Sequence, residues 1–275
     1  MRYAATKSRL GQQMKSHENV APESPAVPGG WGDGILVLAM VLAPIGLAVI
    51  LTAIIVFAIA GWQALRGVAV ELPTKANLQL YGMLSYAIGS WIAVAVVWHW
   101  SSRRGLRRDV FIFRRLTWSS LTASVAGFVM ALYGAPIMLH WLSYVTGGQG
   151  SGVRIDFHDT KSIAAYFFLF VVTTSLSEEI LYRGLLVAWL RRVGCRDPAI
   201  LLVGSLIFGA NHVIPLGFAF GAVMVVVGSI WFALRLRYDS LSPAWLSHFL
   251  FNAQPFLILP LITWLAPAFH PGYLS

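Results

Sequence analysis

The sequence predicts an all-α, polytopic transmembrane helical bundle of about seven spans with a functional core in the last four, and three observations predict it. Of 275 residues, 57% are hydrophobic and only 11% charged, with a mean hydropathy of +0.70, whereas soluble domains carry roughly 25% charged residues. The apolar residues fall into stretches long enough to approach or cross a hydrocarbon core of about 30 Å. Most of the remaining charge is arginine, gathered in short segments between those stretches, as topogenic charges are. The formal charge of +9 therefore reads as membrane topology, and no nucleic-acid partner is expected. The single cysteine, Cys195, excludes an internal disulfide and a zinc site built on several cysteines.

Taken in order, residues 1–34 are polar and broken by Pro22, Pro25, Pro28, Gly29, Gly30, Gly32 and Gly34, a composition that predicts a disordered cytoplasmic tail. It is not a cleavable signal peptide, because both the polar lead-in and the following apolar run are too long. Apolar length places spans at 35–61, 78–100, 118–144, 162–190, 199–213, 216–234 and 241–265. Residues 35–161 then form an N-terminal set of transmembrane helices, 162–265 the functional core, and 266–275 a short C-terminal tail. The loop 101–117 holds Arg103, Arg104, Arg107, Arg108, Arg114 and Arg115 and is assigned to the cytoplasm. Alternation puts Arg191, Arg192, Arg196, Arg235 and Arg237 on that same side, together with the N-terminal Arg2, Lys7, Arg9 and Lys15. The outer loops, 62–77 and 145–161, contain few arginines. One span sits awkwardly: 199–213 reaches only about 22 Å at 1.5 Å per residue, with Pro215 and Gly217 directly after it. It is expected to stop inside the membrane, or the 191–198 loop to dip into it, lining a cavity.

The most informative residues are Glu178 and Glu179, which follow an uncharged run from Ile163 to Leu176. A buried carboxylate costs several kcal/mol or more unless it is paired or wetted, so an ionisable pair in a span is a functional-site hypothesis by default. Two histidines also lie in apolar surroundings on later spans, His212 and His248. Neighbouring helical residues point about 100° apart, so Glu178 and Glu179 cannot share one direction. Glu179 and Arg183, at i and i+4, can pair; His248 and Asn252 share a face by the same spacing, as do Phe208 and His212. The economical arrangement is a cavity where Glu178, His212, His248 and Asn252 converge, with Glu179–Arg183 as a structural pair beside it. Each part alone has a plainer explanation: Glu179–Arg183 as a packing ion pair, either histidine as an interhelical hydrogen bond, Phe208 as packing. Taken together, the plain explanation must account for a glutamate, two histidines and an asparagine on three separate helices.

These segments resemble the three motifs of the CPBP family, the CAAX-protease and bacteriocin-processing membrane proteins. Glu178, Glu179 and Arg183 match Glu-Glu-x-x-x-Arg, Phe208 and His212 match Phe-x-x-x-His, and His248 and Asn252 match His-x-x-x-Asn/Asp, in the family's order. The resemblance covers about residues 162–265. It implies an intramembrane endopeptidase of the glutamate type, similar to the Ras-converting CAAX endopeptidase, acting on a membrane-associated peptide or protein. By the same resemblance Glu178 is the general base that activates water, His212 holds that water, and His248 and Asn252 form the oxyanion hole. No cofactor is favoured; a zinc ion on Glu178, His212 and His248 is the alternative, since one glutamate and two histidines with an open position suit that metal. Two other functions compete: a non-catalytic binding protein on the same scaffold, such as a bacteriocin-immunity factor or a chaperone, and a proton-coupled transporter relaying through Glu178 and His212. The absence of internal repeats weighs against the transporter. The compact arginine-marked loops suit a bacterial inner membrane, and nothing in the sequence sets an oligomeric state.

Overall fold

The computed structural model describes residues 30–146 and 159–257. It is all-helical over them: α1 Gly30–Leu65, α2 Lys75–Arg103, α3 Trp118–Thr146, α4 Thr160–Arg192, α5 Asp197–Leu216, α6 Phe218–Tyr238 and α7 Leu241–Asn252. The first six are long and apolar enough to cross a membrane, and the chain is an integral membrane protein by that measure. Starts are marked by local chemistry. Thr74 caps α2 through Asn77 N–H, Asp159 caps α4 through the N–H groups of Lys161 and Ser162, and Ser240 caps α7 through Ser242 N–H. Each cap satisfies donors that the first helical turn leaves unpaired.

Helix α4 is the axis of the bundle. From Ser177 to Ala188 every residue is buried, which is the signature of a helix surrounded on all sides. Its backbone widens to π-helical turns over Tyr166–Thr174 and Glu179–Leu186, flanking the short α-helical stretch Ser175–Glu178. Such widening is rare and is frequent at functional sites. Around α4 pack the α1–α2 pair, α5 and α6 as a tight hairpin, and α7, while α3 lies against α6 and α7. The core joins Val37 and Val41 of α1, Val97 of α2, Leu181 and Leu185 of α4, Phe208 of α5, and Trp231 and Phe232 of α6. Outward faces of α1 and α3 expose Phe57, Met130 and Ile137, with Trp62, Trp118, Trp141 and Tyr144 near the helix ends, as a lipid-facing surface with interfacial aromatics does.

Three boundaries differ from the sequence expectation. Helix α1 begins at Gly30, inside the stretch expected to be tail; residues 1–29 lie outside the described residues. Tertiary contacts override the glycine-rich composition there. Buried Asp33 takes a two-pronged ion pair from Arg104 at 2.8 and 3.1 Å, and Gly34 packs against Trp189, leaving 2.9 Å for any Cβ. Helix α5 is not short. It has 20 residues, about 30 Å, because Pro198 sits in its first turn, where proline is well suited, and Pro215 falls in its last turn, where it breaks a single bond. Gly217, at φ +87°, ends it. At the other end the expected 241–265 span is broken: α7 stops at Asn252, because Pro255 lacks the N–H that would close on Phe251, and helix resumes over 254–257. Residues 258–265 of that span, the tail 266–275, and 147–158 of the expected outer loop lie outside the described residues.

The helix ends expected on one side of the membrane do meet. Asp239 accepts from Arg114, Arg191 and Arg235 at 2.7–2.8 Å. Arg192 donates to Arg104 O, and Arg104 holds Asp33. This arginine-rich face therefore gathers the starts of α1, α3, α5 and α7 and the ends of α2, α4 and α6.

Candidate active site

The two glutamates do point apart, and a single imidazole answers both. On α7, His248 Nδ1 lies 2.9 Å from Glu179 Oε1, while its Nε2 faces Glu178 Oε2 at 3.8 Å. A nitrogen held by a carboxylate carries the proton, so Nδ1–H donates to Glu179 and Nε2 is the nitrogen turned toward Glu178. The ring is clamped from one side by Trp231, stacked at 3.8 Å between centroids and 13° between planes. Both carboxylates and the imidazole are nearly inaccessible.

Arg183 completes the cluster one turn along α4. Its guanidinium pairs with Glu179 Oε1 at 3.3 Å with both side chains fully buried, and donates to Gly228 O at 3.1 Å. Its faces are covered by Phe208 at 4.2 Å and Phe232 at 4.3 Å, a favourable setting for a planar cation. Phe208 thus acts as packing for Arg183 and also touches both histidine rings. Several polar atoms here are buried without a protein partner: Glu179 Oε2, Tyr182 Oη, Arg183 Nε and Ser247 Oγ. Buried polar groups in that state call for internal water.

The sequence arrangement needs correcting in three respects. Glu179 is not merely a structural partner of Arg183 beside the site, because it holds His248. Asn252 does not reach the carboxylates: its amide donates to Phe170 O at a long 3.5 Å. His212 accepts or donates at Nδ1 with Phe208 O, 2.7 Å away, and makes no hydrogen bond to either glutamate. Of the expected residues, Glu178, Glu179, Arg183 and His248 are joined by ion-pair contacts; His212 meets them through the Phe208 ring, and Asn252 stands at the margin. No group of three metal-ligating side chains with metal-binding geometry occurs among the described residues.

Sequence reasoning missed one participant. Tyr86, on α2, donates its phenol to Glu178 Oε1 at 2.6 Å. No charge or motif marks it, and it lies 92 residues away in sequence.

No curated protein and no solved structure matches the chain. Residues 160–254, about a third of the chain, match a family model described as type II CAAX prenyl endopeptidase, Rce1-like. That stretch runs from the start of α4 to just past α7 and contains all seven residues of the three motifs. By that match this segment of the membrane bundle is similar to the CPBP, or CAAX-protease, family.

Proposed function

We propose that the protein is an intramembrane endopeptidase in which Glu178 activates water against a peptide bond. The observation that carries this reading is the 3.8 Å separation between Glu178 Oε2 and His248 Nε2. It is too long for a hydrogen bond and suits a water, off the line between them, bonded to both. Glu178 takes a proton from that water as its oxygen bonds to the carbonyl carbon. Glu178 passes that proton to His248 Nε2, and His248, held at Nδ1 by Glu179, hydrogen-bonds the oxyanion with it and then gives it to the departing amine as the carbonyl re-forms and the C–N bond breaks. Glu179 thus orients the imidazole as a buried carboxylate does in other hydrolases, while Glu178 is the base. Asn252, whose present hydrogen bond is weak, is free to turn toward the oxyanion. His212, with Nδ1 engaged by Phe208 O, offers Nε2 to the water. Each donor of this kind supplies about 3–4 kcal/mol to a tetrahedral intermediate.

The substrate is a membrane-associated protein or peptide. The family description supports this by naming CAAX prenyl substrates, and so does the site's depth in the bundle. The arginine-rich face is the cytoplasmic one of a bacterial inner membrane, with the N-terminus inside, a reading supported by the positive-inside rule.

The test compares protein N- and C-termini in host cells carrying wild type or Glu178→Gln at equal abundance. Specific ends should disappear in the variant, which identifies substrate and cleavage site together. Matching profiles under conditions where the wild type is functional would replace the protease with the non-catalytic binding protein on the same scaffold.

A further inference from the structure

We propose that Tyr86 is a positioning residue for Glu178, so that the N-terminal helices, outside the family-matched segment, complete the active site. The inference rests on Glu178 being the base. The contact Tyr86 Oη–Glu178 Oε1, 2.6 Å, falls in the short range of an O–H donor to a charged oxygen. It distinguishes two otherwise equivalent atoms: Oε1 is occupied by the phenol, and Oε2 remains turned toward His248 Nε2. A carboxylate without that donor is free to rotate about its terminal torsion, which is broad and soft, and a near-attack geometry tolerates little such freedom.

The support behind Tyr86 is rigid. Gly89, three residues on, lets α2 close against α1, where a Cβ would lie 2.9 Å from Leu47 Cβ and 3.2 Å from Pro44 O. Ser90, one turn from Tyr86 on the same face, is fully buried. Helix α1 therefore presses α2 onto α4, and Tyr86 is the polar contact that α2 delivers there. A tyrosine kept only for packing would not need its hydroxyl at this point, and that difference defines the test.

The full chain, solubilised in detergent, is prepared as wild type, Tyr86→Phe, Glu178→Gln and the lipid-facing control Leu84→Ala, with side-chain carboxyls of glutamate isotopically labelled. The infrared carboxylate band of Glu178 is the one lost in Glu178→Gln. Hydrolysis is measured on a peptide spanning a cleavage site found by the comparison of termini. Tyr86→Phe is expected to shift the Glu178 band and to lower kcat about tenfold or more, with KM within about twofold, while Leu84→Ala changes neither. An unshifted band, or wild-type kcat in Tyr86→Phe beside an inactive Glu178→Gln, overturns the role of Tyr86 alone. Cleavage retained in Glu178→Gln removes the base, and the Tyr86 proposal with it.

Discussion

At the centre of the bundle Arg183 and Glu179 are both fully buried, whereas at the arginine-rich face Asp239 is 43% exposed and is shared by Arg114, Arg191 and Arg235. Both are ion clusters, with contacts of 3.3 Å and 2.7–2.8 Å, yet they differ in what removal of one member leaves behind. In the central cluster each charge has few partners and no access to bulk solvent, so a single deletion strands an opposite charge in a medium that hydrates it poorly. At the face three cations share one anion, and water and salt reach them all except Arg235, which is 1% exposed. There the cost of any one loss is spread over the others and screened.

Arg183→Met breaks the comparison most severely. It leaves Glu179 uncompensated and should cost about 3–5 kcal/mol, read as a large fall in the thermal midpoint of the detergent-solubilised protein or as loss of folded protein altogether. A variant as stable as wild type would show that Glu179 is not held as an anion by Arg183. Asp239→Asn should cost only about 1 kcal/mol, with the fold retained; a loss equal to that of Arg183→Met would mean the surface cluster is no less critical than the buried one.

The smallest effect is one of pH. Burial by itself pushes the Asp239 carboxyl upward, but hydrogen bonds and charge from Arg235 and Arg191 outweigh it and hold the group below its usual range. A carboxyl lowered in the folded state stabilises fully above its unfolded value, about 3.9, and that contribution is lost as pH falls through the lower folded value. The thermal midpoints of wild type and Asp239→Asn should therefore differ at neutral pH and converge in acid. A constant difference from neutral pH to below about pH 3 would separate the stabilisation from ionisation of Asp239.

The bundle was readable because membrane spans are constrained by composition alone, and the arginine clusters marked which helix ends would meet. The candidate residues of α4, α5 and α7 stood out in the sequence because a carboxylate or imidazole in a charge-free run is costly. What could not be read was pairing. Sequence spacing shows that Glu178 and Glu179 diverge, but the ring orientation of His248, which assigns one nitrogen to each, is set by Trp231 on a different helix. Tyr86 was hidden for a related reason: tyrosine is common in membrane helices, and nothing local distinguishes a phenol aimed at a carboxylate from one at a lipid interface. The helix boundaries failed where tertiary contact outweighed local preference, as at Gly34 against Trp189. Pro215 misled because its effect depends on position, being severe in a helix interior and slight in a final turn.

The single-residue connection at Gly217 bears on how the protein enters the membrane. Helices α5 and α6 are joined there without any loop, and Gly209 and Gly221 bring their backbones so close that a Cβ on Gly209 would stand 2.6 Å from Gly221 O. Apart from His212, their ionisable residues Asp197, Arg235 and Arg237 sit at the opposite, arginine-rich end, so the leading tip of this hairpin carries no aspartate, glutamate, lysine or arginine across the bilayer. The pair is thus suited to insertion as one wedge, in which His212 and Phe208 are backed by Phe220 and Trp231 of α6.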